Sequence, residues 1–309
     1  MKFAIGIDVG GTNIKAGLVF KGRVIKKEKL PTRADDGPEE CINQIKNTIK
    51  NFVKASSSIG IGIAGIIDSR NGIVRYSPNL KGWYDIELAR ILKKEFKRSV
   101  KILNDVNAIL LGEWIYGAGR GYKNIFLFTL GTGVGGAAIC EGKMLFGANG
   151  FAGEFGHTVI NFNGPKCVCG NFGCLERYVG SRYIVELALR KSARKKSSLR
   201  KYNNLTPKII ASEARKGDGV AREVFEEIGY YIGIGVSNII NLFDPDIVII
   251  SGGISNAGKI LFEPIKKTVK RLILGPEYRN VKIVPAKLGD NAGILGSAYF
   301  ANAKIPLTK

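Results

Sequence analysis

The stretch Phe3-Ala4-Ile5-Gly6-Ile7-Asp8-Val9-Gly10-Gly11-Thr12-Asn13-Ile14-Lys15 begins as an apolar run and breaks, after an aspartate, into paired glycines and a threonine. The apolar part has the length and branched content of a buried strand. It predicts a strand over Phe3–Val9, a turn at Gly10–Asn13, a second strand over Lys15–Phe20 and a third over Arg23–Leu30, with Lys21-Gly22 as the hairpin turn. Glycines between two strands let the backbone approach a phosphate closely, so main-chain N–H groups and the Thr12 hydroxyl can cradle it. An ordinary glycine hairpin is the other use of the same residues. Asp8, at the strand end, can hold Mg²⁺ through water, because hard cations take oxygen ligands.

Working outward, Glu39–Ala55 has helical periodicity, with Ile42, Ile45, Ile49, Phe52 and Val53 on one face. Ser58–Ile63 reads as a strand running into Gly65, Ile86–Phe96 as a helix, Val100–Leu103 as a strand and Asn107–Gly117 as a helix. This βββαβαβα order implies an α/β fold, a mixed sheet flanked by helices. The pattern then recurs. A strand over Asn124–Leu130 meets Gly131-Thr132-Gly133, followed by the strand Val134–Cys140 and a hairpin at Glu141-Gly142. A long helix over Gly219–Phe243 and a strand over Ile247–Ser251 lead to Gly252-Gly253, a flat backbone surface suited to a nucleoside or to a plain strand-to-helix turn. Two similar lobes are expected: 1–117, completed by a C-terminal helix over 291–303, and 118–290. Each carries a phosphate-sized glycine turn, which implies an ATP cleft.

Phosphoryl transfer to a hydroxyl needs a carboxylate near the attacking oxygen to take its proton. Asp105, in Leu103-Asn104-Asp105-Val106-Asn107, follows a buried strand and precedes a helix, where open α/β sheets build their sites. The same position suits a helix N-cap, and both roles stand. Asn104 beside it can donate to and accept from sugar hydroxyls. The sole histidine, His157, lies shortly before Cys167, Cys169 and Cys174. An imidazole with three thiolates makes a closed, structural zinc site, although the C-x-C spacing is tighter than usual and free buried cysteines are the alternative. A metal there would pin the loop ending at Glu176, and so orient Glu154 and Glu176 toward a ligand.

Lys and Arg number 47 against 26 Asp and Glu in 309 residues, a net charge of +21. The basic residues are dispersed. Their densest run, Arg190 to Lys201, reads as a solvated helix face, so no nucleic-acid partner is expected. No apolar run reaches the length of a membrane span, and the N-terminal apolar stretch is too short for a signal peptide, so the expected compartment is the cytoplasm.

In order and spacing these motifs resemble the ROK family (repressor, open reading frame, kinase), and within it the bacterial-type glucokinases. The carriers are Asp8–Asn13, Ser77-Pro-Asn-Leu-Lys-Gly-Trp83, Leu103–Ala108, Leu130–Gly136, Glu154–His157, Cys167–Glu176 and Ser251–Ile254. They run through essentially the whole chain. The resemblance implies the two-lobed actin-like (ribonuclease H-like) ATPase fold, a homodimer or homotetramer, and MgATP-dependent phosphorylation of a hexose, glucose first. It implies that Asp105 is the catalytic base, and that Gly65, Asn79, Asn104, Asp105, Glu154, His157 and Glu176 surround the sugar. Gly10, Gly11, Thr12, Asn13, Lys15, Thr132 and Gly133 would serve the phosphates, with Asp8 on Mg²⁺, and Gly252, Gly253 and Asn256 the nucleoside. His157, Cys167, Cys169 and Cys174 would hold structural Zn²⁺, with the second His157 nitrogen on a sugar hydroxyl. Ala64 stands where many relatives have proline. N-acetylmannosamine or another hexose as substrate, polyphosphate as donor, and a non-catalytic sugar sensor are the alternatives. Because the phosphate motif begins at Asp8, no DNA-reading unit is expected ahead of it.

Overall fold

The computed structural model describes residues 3–303. The described residues form two compact units, one of residues 3–122, 142–152 and 287–303, the other of 123–141 and 153–286.

In the first unit, β1 (Ala4–Val9), β2 (Asn13–Phe20) and β3 (Arg23–Pro31) form an antiparallel meander. Helix α1 (Pro38–Lys50) leads to β4 (Ser58–Ile63), and a small antiparallel sheet of β5 (Ile66–Asp68), β6 (Ile73–Tyr76) and β7 (Tyr84–Ile86) follows. Helix α2 (Leu88–Phe96), β8 (Ser99–Asn104) and α3 (Asp105–Tyr116) complete this part. The main sheet has the order β3-β2-β1-β4-β8, with β4 and β8 parallel to β1. The segment Gly142–Ala152, with the short strand β11 (Lys143–Met144), groups with this unit.

The second unit holds β9 (Ile125–Leu130) and β10 (Val134–Cys140), then α4 (Glu176–Val179), α5 (Ser181–Arg194), α6 (Pro207–Arg215) and α7 (Gly219–Phe243). It continues with β12 (Ile247–Ser251), α8 (Lys259–Leu272) and β13 (Lys282–Pro285). Its strands run β10-β9-β12-β13, antiparallel at β10/β9 and parallel thereafter. The order β2-β1-β4-β8 of the first unit is thereby repeated, and in both the glycine turn joins the first antiparallel pair.

The final helix α9 (Ala292–Asn302) returns to the first unit and packs on β1, β4 and α3. It sits so low on the sheet that a Cβ at Gly6 or Gly60 would strike the carbonyls of Ile294 and Ser297. Both α3 and α9 are buried nearly all round, which is why neither shows an amphipathic stripe in the sequence.

Three boundaries differ from the periodicity. The first helix stops at Lys50, and Val53–Ala55 tightens into a 3₁₀ turn, a common ending for a helix. Ile86 belongs to β7, paired with Val74, a long-range contact that local periodicity does not report. Helix α3 starts at Asp105 rather than Asn107, for the capping reason given below. The basic run after Arg190 is matched by acids of α7: Lys191 meets Glu227 at 2.9 Å and Lys195 meets Glu223 at 2.6 Å. Among the described residues no helix is long and apolar enough to cross a membrane.

Candidate active site

In the first unit the parallel strands β1, β4 and β8 end level with one another. Val9 pairs with Ile63, and Ile63 with Asn104. The Gly10 turn, the Ala64-Gly65 turn and Asp105 therefore leave the same edge side by side. Strands lie about 4.8 Å apart, so Asp105 and the Gly10 turn, two strands away, stand about 10 Å apart at their backbones. That is a span a sugar hydroxyl and a terminal phosphate can bridge.

Asn104, not Asp105, is the N-cap of α3. Its Oδ1 accepts from Val106 N at 2.9 Å and Asn107 N at 3.2 Å, while its Nδ2 donates to the Gly65 carbonyl at 3.0 Å. The cap role that the sequence left open for Asp105 thus falls to its neighbour. Asp105 opens the helix, where its Oδ1 accepts from its neighbour's amide, Val106 N, at 3.0 Å. Helix N-termini favour carboxylates. Gly65 has φ +125° and lies against Tyr76 O and Ser77, a place no side chain can occupy. Asn79, exposed in the Ser77–Trp83 turn, lies beside Gly11: a Cβ there would sit 3.4 Å from Asn79 Cβ. The buried indole of Trp83 anchors that turn.

The Gly10–Asn13 turn closes through Gly10 N to Asn13 O, 3.1 Å. Two of its carbonyls are held by a residue the sequence did not single out. Thr32, fully buried, donates its hydroxyl to Gly10 O at 2.6 Å and its N–H to Thr12 O at 3.0 Å. Burial pushes the Asp8 carboxyl up to about 6, moderated by Lys15 and reinforced by Asp290. Lys15 is salt-bridged to Asp290 at 2.7 Å, which holds the Asp290 carboxyl below the usual range. Asp8 packs on α9 at Gly293, where a Cβ would fall 2.8 Å from its carboxyl carbon. A carboxyl at the strand end offers the oxygen ligands that a hydrated Mg²⁺ takes.

In the second unit, Thr129 pairs with Ser251, so the Gly131 and Gly252 turns emerge together. Gly252 has φ +90° and abuts Leu130 O. Gly131 O receives both the Oγ (2.6 Å) and the N–H (2.9 Å) of Ser181, at the start of α5. Thr132 is exposed at the tip. Glu176 accepts from Val134 N at 2.9 Å through Oε2, which ties this predicted sugar ligand to the second glycine turn. Gly253 opens a 3₁₀ turn to Ala257, and Arg215 holds Asn256 by its carbonyl, at 2.7 Å.

Glu154 is exposed and precedes the 3₁₀ turn Phe155–His157. His157 gathers with Cys167, Cys169 and Cys174, their ligand atoms all within 4.8 Å of one another. Cys169 and Cys174 sulfurs are 3.6 Å apart, and Cys167 Sγ lies 4.0 Å from His157 Nδ1. Tetrahedral bonds of about 2.3 Å would put zinc-bound sulfurs about 3.8 Å apart, so the donor set fits that ion. Without a cation, burial and the neighbouring thiols push Cys174 up to about 12. A divalent ion reverses that by taking the thiolates. With Nδ1 facing the sulfurs, Nε2 is the ring nitrogen left for another partner. The knuckle is held by Cys167 N to Asn171 O, 2.7 Å, and by bridges Val159–Cys174 and Lys166–Phe172.

Paired mixed sheets of one topology, each with a glycine turn after its first strand, define the actin-like ATPase fold. The ROK family model matches residues 4–304. The chain belongs to the ROK family. A glucokinase of Thermotoga maritima is 38% identical over 97% of this chain and 98% of its own length. The solved structure of a ROK family glucokinase from Streptomyces griseus, in complex with glucose and AMPPNP, matches with a TM-score of 0.86 at 33% identity, covering 97% of this chain and 99% of that one. The xylose repressor of Caldicellulosiruptor bescii is 34% identical over 94% of this chain and 76% of its own length.

Proposed function

We propose that the protein transfers the γ-phosphoryl group of MgATP to the 6-hydroxyl of D-glucose, giving glucose 6-phosphate and ADP. The observation that carries this reading is the common strand edge of the first unit. There the phosphate turn, the Asn104-tethered Gly65 turn and Asp105 leave adjacent strands in register. Likeness to glucokinases over nearly the full chain supports the substrate.

Asp105 takes the proton of the sugar hydroxyl as its oxygen bonds to phosphorus and the bond to the ADP oxygen breaks. Asn79, Asn104, Gly65, Glu154, His157 Nε2 and Glu176 orient the sugar. Around the turn that Gly10 closes, backbone N–H groups of Gly11, Thr12 and Asn13, with those of Thr132 and Gly133, bind phosphate oxygens, with Lys15 adding charge. Asp8 would hold the hydrated Mg²⁺ that accompanies ATP, which would offset the phosphate charge. Gly252, Gly253 and Asn256 face the nucleoside. His157, Cys167, Cys169 and Cys174 would hold a structural zinc ion, which would fix their loop and the start of α4, and with it Glu176. By family likeness the enzyme works as a homodimer or homotetramer in the cytoplasm, and nucleic acid has no part in the reaction.

The test is phosphorylation of glucose, mannose, fructose, N-acetylglucosamine and N-acetylmannosamine with ATP, and with polyphosphate as a second donor. Glucose is expected to lead by at least about tenfold in kcat/KM, about 1.4 kcal/mol of transition-state preference. An acetamido sugar in front would move the substrate assignment. No turnover with any sugar or donor would leave a sugar sensor, the reading that likeness to a xylose repressor favours. Asp105→Asn is expected to abolish turnover and keep glucose binding; a tenth of the parent rate would remove Asp105 from the base role.

A further inference from the structure

The three glycine turns share one device. Each has the carbonyl of its leading glycine bonded by a hydroxyl: Thr32 Oγ1 to Gly10 O at 2.6 Å, Ser181 Oγ to Gly131 O at 2.6 Å, and Ser255 Oγ to Gly252 O at 2.7 Å. Each hydroxyl residue also donates its own N–H to the turn. Thr32 N reaches Thr12 O at 3.0 Å, Ser181 N reaches Gly131 O at 2.9 Å and Ser255 N reaches Gly252 O at 3.1 Å. The pins come from unrelated parts of the fold. Thr32 follows the meander's last strand, Ser181 begins α5, and Ser255 lies inside its own 3₁₀ turn.

A trans peptide is planar, with its C=O and N–H pointing in opposite directions. Fixing the Gly10 carbonyl toward Thr32 therefore turns the Gly11 N–H to the opposite face, and fixing Thr12 O does the same for Asn13 N–H. Holding Gly131 O toward Ser181 turns the Thr132 N–H outward. A glycine turn without such a grip samples many orientations, because glycine loses the most freedom on ordering. Donors that are already aimed bind an anion without that loss.

We infer that Thr32, Ser181 and Ser255 are positioning residues for the donor nucleotide, which orient the amides of the three glycine turns without touching the ligand. The inference rests on the phosphate and nucleoside roles proposed above for those turns. Thr32 is the strongest case. It is fully buried, its hydroxyl and amide hold two carbonyls of the turn, those of Gly10 and Thr12, and Thr32→Val preserves its shape while removing only the side-chain donor.

The experiment uses the full chain with its metal, and reads MgAMPPNP and glucose dissociation constants by calorimetry beside the KM for ATP and for glucose. Thr32→Val and Ser181→Ala are each expected to weaken nucleotide binding and raise the ATP KM about tenfold, the scale of one well-placed hydrogen bond. Glucose Kd should stay within about twofold, and Thr32→Ser, which keeps the hydroxyl, should return nucleotide binding to near the parent value. Folded variants with parental nucleotide affinity overturn the inference, as does equal loss of glucose and nucleotide binding. Should Thr32→Val not accumulate as folded protein, Ser181→Ala decides alone by the same criterion. Failure of the underlying functional reading is separately visible: the unaltered protein would then bind no nucleotide.

Discussion

Glu113 offers the sharpest test of what holds the first unit together. It is a fully buried carboxylate on α3, and no basic side chain is paired with it among the described ion pairs. Its partners are amides. Oε2 accepts from Ala118 N at 2.8 Å, and Oε1 accepts from Lys287 N at 2.9 Å and Leu288 N at 2.7 Å. The Glu113 main-chain carbonyl takes Gly117 N and Gly119 N as well. One residue thus gathers the chain leaving α3 and the chain entering α9. Glu113→Ala removes the acceptor from three amides at once. A buried donor left unsatisfied costs about 1–3 kcal/mol. Ala118 is buried, whereas water can reach the exposed Lys287 and the half-buried Leu288, which puts those two near the lower end. The total loss is about 3–5 kcal/mol, or about 6–15 °C in Tm at about 2–3 °C per kcal/mol. Glu113→Gln keeps one oxygen, serves at most two of the three amides and should fall between. Scanning calorimetry reads the loss, and hydrogen exchange should show faster exchange at Ala118, Lys287 and Leu288. A Glu113→Ala protein melting within about 2 °C of the parent, with those amides still protected, would refute the reasoning.

Zinc is expected at about one atom per chain, and Cys174→Ser should lose it and lower the melting temperature by several degrees; a metal-free preparation with full activity and unchanged melting would exclude the site. Asp8, raised from 3.8 to about 6 by burial, holds its proton more tightly in the folded state, so its contribution favours the fold below about pH 4 and is lost as pH rises through 6. Asp8→Asn should therefore raise the melting temperature of the ligand-free protein at about pH 7.5, with the gain vanishing near pH 4, while turnover collapses; a gain independent of pH would count against the buried-charge account. Gly252→Ala meets both φ +90° and the Leu130 carbonyl, so the ATP KM should rise at least about tenfold with the glucose KM little changed; equal shifts in both would dissociate that turn from the nucleotide.

The amino-acid sequence by itself determined what depends on residue type and short spacing. The strand-turn-strand at Asp8–Asn13 and its repeat at Leu130–Gly136 were legible because glycine punctuation and apolar runs are local signals. The His157–Cys174 cluster was legible because its ligands lie within one short loop. Tertiary structure alone decided what depends on partners far along the chain. That Asn104 caps α3 and tethers Gly65, leaving Asp105 at the helix start, is a matter of hydrogen bonds across 39 positions, and either residue type could have capped. Thr32, Ser181, Asp290 and Glu113 carried no sequence signal. Hydroxyls and carboxylates are common, and each acquires its role only when the fold brings a particular carbonyl, lysine or amide within about 3 Å of it. The same holds for α9, whose apolar residues face every direction because the sheet and α3 bury it from all sides.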